Sequence, residues 1–196
     1  LADDMGLGKT IQVIALLLLL QRRRVPGPHL VVVPASLLGN WCAELERFAP
    51  SLRVYVAHRT TSGTDSEPAA NTADIVLTTY ATLARLPWPA QLCWGLVVLD
   101  EAQAIKNAET RQTRAVKLLT CRLRLALTGT PVENSLADLW SIFDFINPGL
   151  LGGADEFRKL CRPLGAGGDE IGPLRRLVRP YILRRLKSDR RVIADL

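Results

Sequence analysis

The sequence predicts an α/β fold, a parallel sheet sandwiched by helices, and three observations predict it. Short apolar runs alternate along the chain with segments of helical length, as a parallel sheet with crossover helices requires. A glycine-rich turn, GLGKT, runs directly into a long apolar stretch. The run Leu96 to Leu99 ends on two carboxylates, Asp100 and Glu101, at the strand end where ligands of open α/β sheets gather.

Taken in order, Lys9 to Gln21 reads as a helix opened by the glycine turn, and its apolar run Val13 to Leu20 is too short to span a bilayer. Leu30 to Val33 is a buried strand stopped by Pro34, after which Ser36 can cap a helix from Leu37 to Phe48. Trp41 and Glu44 share a face of that helix, and the reading for Trp41 is a core position with its indole donor paired. Leu52 to Ala57 and Ile75 to Thr78 are strands, separated by a Gly, Ser, Thr, Pro and Ala-rich stretch between His58 and Ala73 that reads as surface loop. A short helix from Thr82 to Leu86, the strand Leu96 to Leu99, a helix from Thr110 to Leu119 and a buried strand from Leu123 to Leu127 follow. The break from Asn147 to Gly153 divides a compact lobe, 1–150, from an extension, 151–196, with a helix from Asp155 to Cys161, the flexible Gly165 to Gly168 and a basic end.

With 196 residues, 48% hydrophobic and 22% charged, the chain is long enough for a core and is not of disordered composition. Its formal charge of +6 is carried by the end of the chain: residues 1–170 hold seventeen basic and seventeen acidic side chains, and 171–196 hold eight against two. Arg175, Arg176, Arg179, Arg184, Arg185, Lys187, Arg190 and Arg191 make either a solvated face or a surface for an anionic partner. Cys42, Cys93, Cys121 and Cys161 are scattered without metal-site spacing and read as reduced thiols, and neither His29 nor His58 has ligand partners nearby. No secretory pattern opens the chain.

The segment Asp4, Met5, Gly6, Leu7, Gly8, Lys9, Thr10 has the layout of a phosphate cradle. Gly6 and Gly8 let backbone N–H groups approach oxygen anions, Lys9 reaches the outer phosphates, and Thr10 can ligate Mg²⁺ at a helix start. The strict pattern asks for glycine where this chain has Asp3. Asp100 would hold Mg²⁺, and Glu101 would orient and deprotonate the water that attacks the γ-phosphate. Lys9, Asp100 and Glu101 are therefore the candidate catalytic residues, with ATP and Mg²⁺ as the ligands implied.

These motifs, in their order, resemble the first motor lobe of the Swi/Snf family, ATP-driven DNA translocases related to the DEAD and DEAH helicases. DDMGLGKTIQ resembles its motif I, LVVVPASLLGNWCAELERF its motif Ia, DIVLTTYATL its motif Ib, DEAQAIKN its motif II, and LALTGTPVENSLADLWSIFDFINPGLLG its motif III with the helix beyond. RPYILRRLKSD, from Arg179 to Asp189, resembles the family's sequence near the end of this lobe. The resemblance implies a RecA-like lobe whose first strand precedes Leu1. A second RecA-like lobe would supply an arginine to the ATP site, so that the fragment alone would hydrolyse ATP feebly or not at all.

It further implies that double-stranded DNA is gripped through its phosphates, which makes binding sequence-tolerant and steeply salt-dependent. Pro34 and Ser36, and Thr78, Thr79 and Tyr80, are the candidate DNA contacts; for Ser36 and Thr79, capping of a helix is the alternative. Motif III, with Thr128, Gly129 and Thr130, couples nucleotide state to movement in the family, and Gln103 can hydrogen-bond to it and report on the γ-phosphate. Arg184 and Arg185 could instead pair with acids of the second lobe. The target could be naked DNA, a nucleosome or a polymerase–DNA complex, with no membrane role. The location expected is intracellular: a bacterial cytoplasm or nucleoid, favoured by twenty Arg against five Lys, or a nucleus. Two other outputs stay open: a strand-separating helicase or nuclease-linked translocase, and a nucleotide-dependent scaffold without turnover.

Overall fold

The computed structural model describes residues 1–4, 6–58, 72–129, 136–161 and 172–185. Met5, Thr130, Lys187, Arg190, Arg191, nearly all of the loop expected between His58 and Ala73, and Gly165 to Gly168 lie outside these. Five strands form one parallel sheet in the order β2-β3-β1-β4-β5: β1 (His29–Val33), β2 (Val54–Ala57), β3 (Ile75–Thr79), β4 (Cys93–Leu99) and β5 (Thr120–Ala126). Helices α1 (Lys9–Arg22), α2 (Leu38–Phe48), α3 (Tyr80–Leu83), α4 (Arg111–Lys117), α5 (Leu136–Ile146), α6 (Ala154–Cys161) and α7 (Gly172–Val178) accompany them. Among the described residues no helix is long and apolar enough to cross a membrane.

The central strands are mostly apolar because both faces of the sheet are covered. Alternation sorts their side chains. Leu30, Val32, Val76, Val97 and Leu99 face one core with Tyr80, Ile105, Val116 and Phe145, while Val31, Val33, Ile75, Leu77, Leu96 and Val98 face the other with Ile14, Leu17, Trp41 and Leu45. A third apolar cluster joins Leu139 and Phe143 of α5 to Phe157 of α6 and Leu174 and Val178 of α7. The extension thus shares a core with the helix that precedes it.

β5 departs from the expectation of a buried strand. Leu123 is 47% exposed, and only Ala126 is buried, because β4 is the one strand that pairs with it. At its far end the chain start takes over: the Leu1 amine donates to the Ala126 carbonyl at 2.7 Å, and Thr128 N–H donates to the Leu1 carbonyl at 3.0 Å. On the other side of that segment, Ala2 N–H donates to Leu183 O at 2.7 Å and Asp4 N–H to Arg185 O at 3.2 Å. Residues 183–185 therefore lie directly beside the chain leading into the glycine turn.

Gly95, on β4, sits at a tight backbone approach. A Cβ there would stand 2.2 Å from the Pro26 carbonyl oxygen and 2.7 Å from Cε1 of the buried His29. Gly95→Ala is expected to destabilise the fold by about 1–3 kcal/mol through overpacking. A chemical denaturation midpoint equal to wild type would contradict that packing.

Candidate active site

Gly6 and Gly8 adopt φ of 82° and 72°, the left-handed region that favours glycine, and so turn the chain into α1. The first turn of α1 has no side-chain cap and no acidic residue, which leaves its free N–H groups and positive dipole end available to an anion. Lys9 and Thr10 open the helix, both half-buried. Lys9 Nζ donates to the carbonyls of Asp3 at 2.8 Å and Asp4 at 3.2 Å, folding its ammonium over the turn. One helical turn on, Gln12 Nε2 donates to the Leu7 and Gly8 carbonyls at 3.2 and 3.3 Å.

β4 delivers Asp100, only 6% exposed, to the carboxyl edge of the sheet. Each of its side-chain oxygens is held: Oδ2 accepts from Trp41 Nε1 at 2.7 Å, and Oδ1 accepts from the Glu101 N–H at 3.0 Å. Its main-chain carbonyl accepts from the Tyr80 hydroxyl at 2.7 Å. Burial pushes the Asp100 carboxyl above the usual carboxylate range; the two donors and the positive charge of Lys9 pull it back, and Glu101 pushes it further up. Leu127 N–H donates to Leu99 O at 2.8 Å and Thr128 N–H to Leu1 O at 3.0 Å, so the end of β4 and the chain entering the glycine turn flank the same end of β5.

Glu101 sits at φ 49°, a left-handed conformation unusual for a residue with a side chain and costing on the order of 1–3 kcal/mol. It lets the chain leave the strand abruptly into the turn Ala102–Ile105, where Ala102 N–H is caught by Leu127 O at 2.8 Å. Gln103 Nε2 donates to Glu101 Oε2 at 2.6 Å, and Gln103 Oε1 accepts from the Thr128 hydroxyl at 3.1 Å. Gln103 thus bridges the acid and the segment after β5 that also holds Gly129. The hard oxygen donors in Asp100 and Thr10 suit Mg²⁺, and the Asp100 carboxylate, with one donor on each oxygen, keeps lone pairs for a metal's water shell.

Three of the five candidate DNA contacts are corrected. Thr78 and Thr79 are each 2% exposed: the Thr78 hydroxyl donates to Ala57 O at 2.8 Å, and the Thr79 oxygen accepts the Thr82 N–H at 3.2 Å as the cap of α3. Tyr80 is buried, and its hydroxyl points at the Asp100 carbonyl. All three side chains are consumed inside the lobe: Thr78 and Thr79 end β3, a central strand covered on both faces, and Tyr80 opens α3 packed against the sheet. Pro34 is half-buried and Ser36 exposed. Ser36 caps nothing: it lies within a 3-10 turn, Ala35–Leu37, and α2 starts without a side-chain cap.

Arg185 is also reassigned. Its Nε donates to Asp3 Oδ2 at 3.0 Å, a second guanidinium nitrogen donates to the same oxygen and to Gln12 Oε1 at 2.8 Å, and its own N–H donates to Asp3 Oδ1 at 2.8 Å. The pair lies within the lobe. Sequence reading missed Asp3, Gln12 and the acceptors of Trp41 and Tyr80. Of these, only Gln12 had a local signal, its spacing of four from Gly8 on one helix.

The chain matches the SNF2-related domain model over residues 1–194. The chain belongs to the SNF2-related domain family. It is 46% identical to YwqA of Bacillus subtilis over 203 residues, covering 100% of this chain and 22% of that protein. It is 37% identical over 197 residues to the human SWI/SNF-related matrix-associated actin-dependent regulator of chromatin subfamily A member 1, covering 96% of this chain and 19% of that protein. The chain thus spans about a fifth of the length of these relatives. Its fold matches the Sulfolobus solfataricus SWI2/SNF2 ATPase core in complex with dsDNA, with a TM-score of 0.91 and 44% identity over 100% of this chain and 41% of that one. The parallel five-stranded lobe is therefore RecA-like, as the motif order implied.

Burial opposes ionisation of Asp3, but the hydrogen bonds and charge of Arg185 outweigh it and hold the carboxyl below its ordinary value. A lowered acid contributes stability above its unfolded pKa of about 3.9, and that contribution is lost as pH falls through the lower folded value. Arg185→Ala is expected to lower the melting temperature at pH 7, with the deficit shrinking as pH falls below about 4. A deficit independent of pH would contradict the pairing.

Proposed function

We propose that this chain is the first motor lobe of a DNA translocase that hydrolyses ATP with Mg²⁺ and moves along double-stranded DNA or remodels protein–DNA complexes. The reading is supported by the backbone pairing that sets the chain entering α1 and the end of β4, which bears Asp100 and Glu101, on either side of the same end of β5, in a chain of this family whose structural neighbour is solved with dsDNA. The α1 N–H groups and Lys9 bind the phosphates of the substrate and offset charge developing on the transferred group. Thr10 and Asp100 would hold the metal, and bound Mg²⁺ supplies positive charge to the phosphate oxygens. Glu101 orients the attacking water and takes its proton. Gln103, held between Glu101 and Thr128, keeps that carboxylate aimed and links it to the segment carrying Gly129 and Thr130. A second RecA-like lobe completes the ATP site, and the target is DNA inside the cell, whether naked, nucleosomal or carrying a polymerase.

Two measurements on the full-length protein test this reading. Glu101→Gln is expected to lower DNA-stimulated ATP turnover by about 10²–10⁴-fold, the worth of a general base, while retaining nucleotide binding. Lys9→Ala is expected to lose both. Turnover equal to wild type in either variant would remove the motor reading of this site, and a wild type without DNA-stimulated turnover would leave a scaffold. Gln103→Ala should reduce the stimulation by duplex DNA more than the DNA-independent rate; an equal reduction of both rates would break the proposed link to Thr128.

A further inference from the structure

We propose that Trp41 and Tyr80 are positioning residues that orient Asp100 toward the metal. This rests on the reading of Asp100 as the acid that holds Mg²⁺. Neither side chain touches the substrate in this assignment; both act through Asp100.

The physical need comes first. The last torsion of an aspartate is broad and roughly two-fold, so a carboxylate at a strand end does not orient itself. Here two donors from different directions set its plane. The Glu101 N–H takes Oδ1 at 3.0 Å, and Trp41 Nε1 takes Oδ2 at 2.7 Å from a position 59 residues away in sequence. Tyr80 fixes the main chain of the same residue through its carbonyl at 2.7 Å, and Asp100 N–H donates to Val32 O at 2.9 Å. Asp100 is thereby held at its N–H, its carbonyl and both carboxylate oxygens. Trp41 and Tyr80 are 1% and 4% exposed, so these bonds lie out of reach of competing water.

A tryptophan that served only to fill the core would meet its hydrogen-bonding need on any nearby carbonyl, as Trp94 does on Pro89 O at 2.9 Å. Trp41 spends its single donor on a carboxylate instead, a charge-assisted bond roughly twice as strong as a neutral one. The two donors also arrive on separate elements, Trp41 from α2 and Tyr80 from the start of α3. Outer partners of metal-ligating groups are commonly worth 10–100-fold in metal affinity; Trp41 stands in that relation to the Asp100 carboxylate, and Tyr80 acts one step further back, on the main chain that carries it.

The test uses the full-length protein and reads metal rather than turnover. Binding of a fluorescent ADP analogue is titrated with Mg²⁺ in wild type, Trp41→Phe and Tyr80→Phe, and repeated in EDTA; Mn²⁺ affinity with ADP present is measured in parallel by electron paramagnetic resonance. Trp41→Phe keeps most of the apolar packing and removes the donor. The Mg²⁺ midpoint is expected to rise about tenfold in Trp41→Phe and by a smaller factor in Tyr80→Phe, Mn²⁺ affinity is expected to fall in parallel, and binding in EDTA is expected to stay at the wild-type level. Unchanged Mg²⁺ midpoints, or a loss of equal size in EDTA, would overturn the proposal. Should Trp41→Phe lose its native circular dichroism, Tyr80→Phe decides alone by the same criterion. A wild type with no Mg²⁺-dependent binding would remove the metal reading of the site itself, and this proposal with it.

Discussion

A carboxylate taken out of water must be held by donors, and the donors that hold Asp100 tie this lobe together. Removing such a charge from solvent costs several kcal/mol, and hydrogen bonds to a charged group return about 1.5–3 kcal/mol each. Those bonds come from α2, from the start of the turn after β4 and, at the main chain, from α3. The Glu101 donor is local and the Tyr80 bond goes to the neutral carbonyl, so it is α2, 59 residues away, that must dock correctly to bring the second donor to the charge. Folding the sheet and building the site are, at Asp100, one event.

The fold was largely legible because its signals are local. The short, β-branched apolar runs at Leu30 to Val33 and Leu96 to Leu99 read as strands covered on both faces, and their alternate residues do face two different cores. The cradle was legible for the same reason: GLGKT carries its turn, its lysine and its helix start within a few residues. β5 was misjudged because apolar composition says nothing of how many neighbours a strand has. Thr78, Thr79 and Tyr80 were misjudged because a hydroxyl at a strand end looks the same whether it faces a phosphate or a buried carbonyl. The partners of Trp41, Tyr80 and Asp3 lie 59, 20 and 182 residues away and leave no periodic trace.

The pairing of Asp3 with Arg185 gives the basic extension a place in the lobe. Residues 183–185 run beside the chain that enters the glycine turn, and the Arg185 guanidinium joins Asp3 to Gln12, whose amide in turn holds the Leu7 and Gly8 carbonyls. The cradle is thus braced from the far end of the sequence. A charge run that composition alone leaves between solvated face and binding surface contains at least one residue with a structural task, which is why net charge by itself was a poor guide to the tail.

In the proposed function a single triphosphate and its metal sit between the α1 start and the pair Asp100 and Glu101. The most direct measurement is an experimental structure of the full-length protein with Mg²⁺ and a non-hydrolysable ATP analogue. Lys9 Nζ is expected on the outer phosphate oxygens, Asp100 in the metal's coordination or water shell, and Trp41 still donating to Asp100. A nucleotide bound elsewhere, or an Asp100 turned away from the metal, would contradict it.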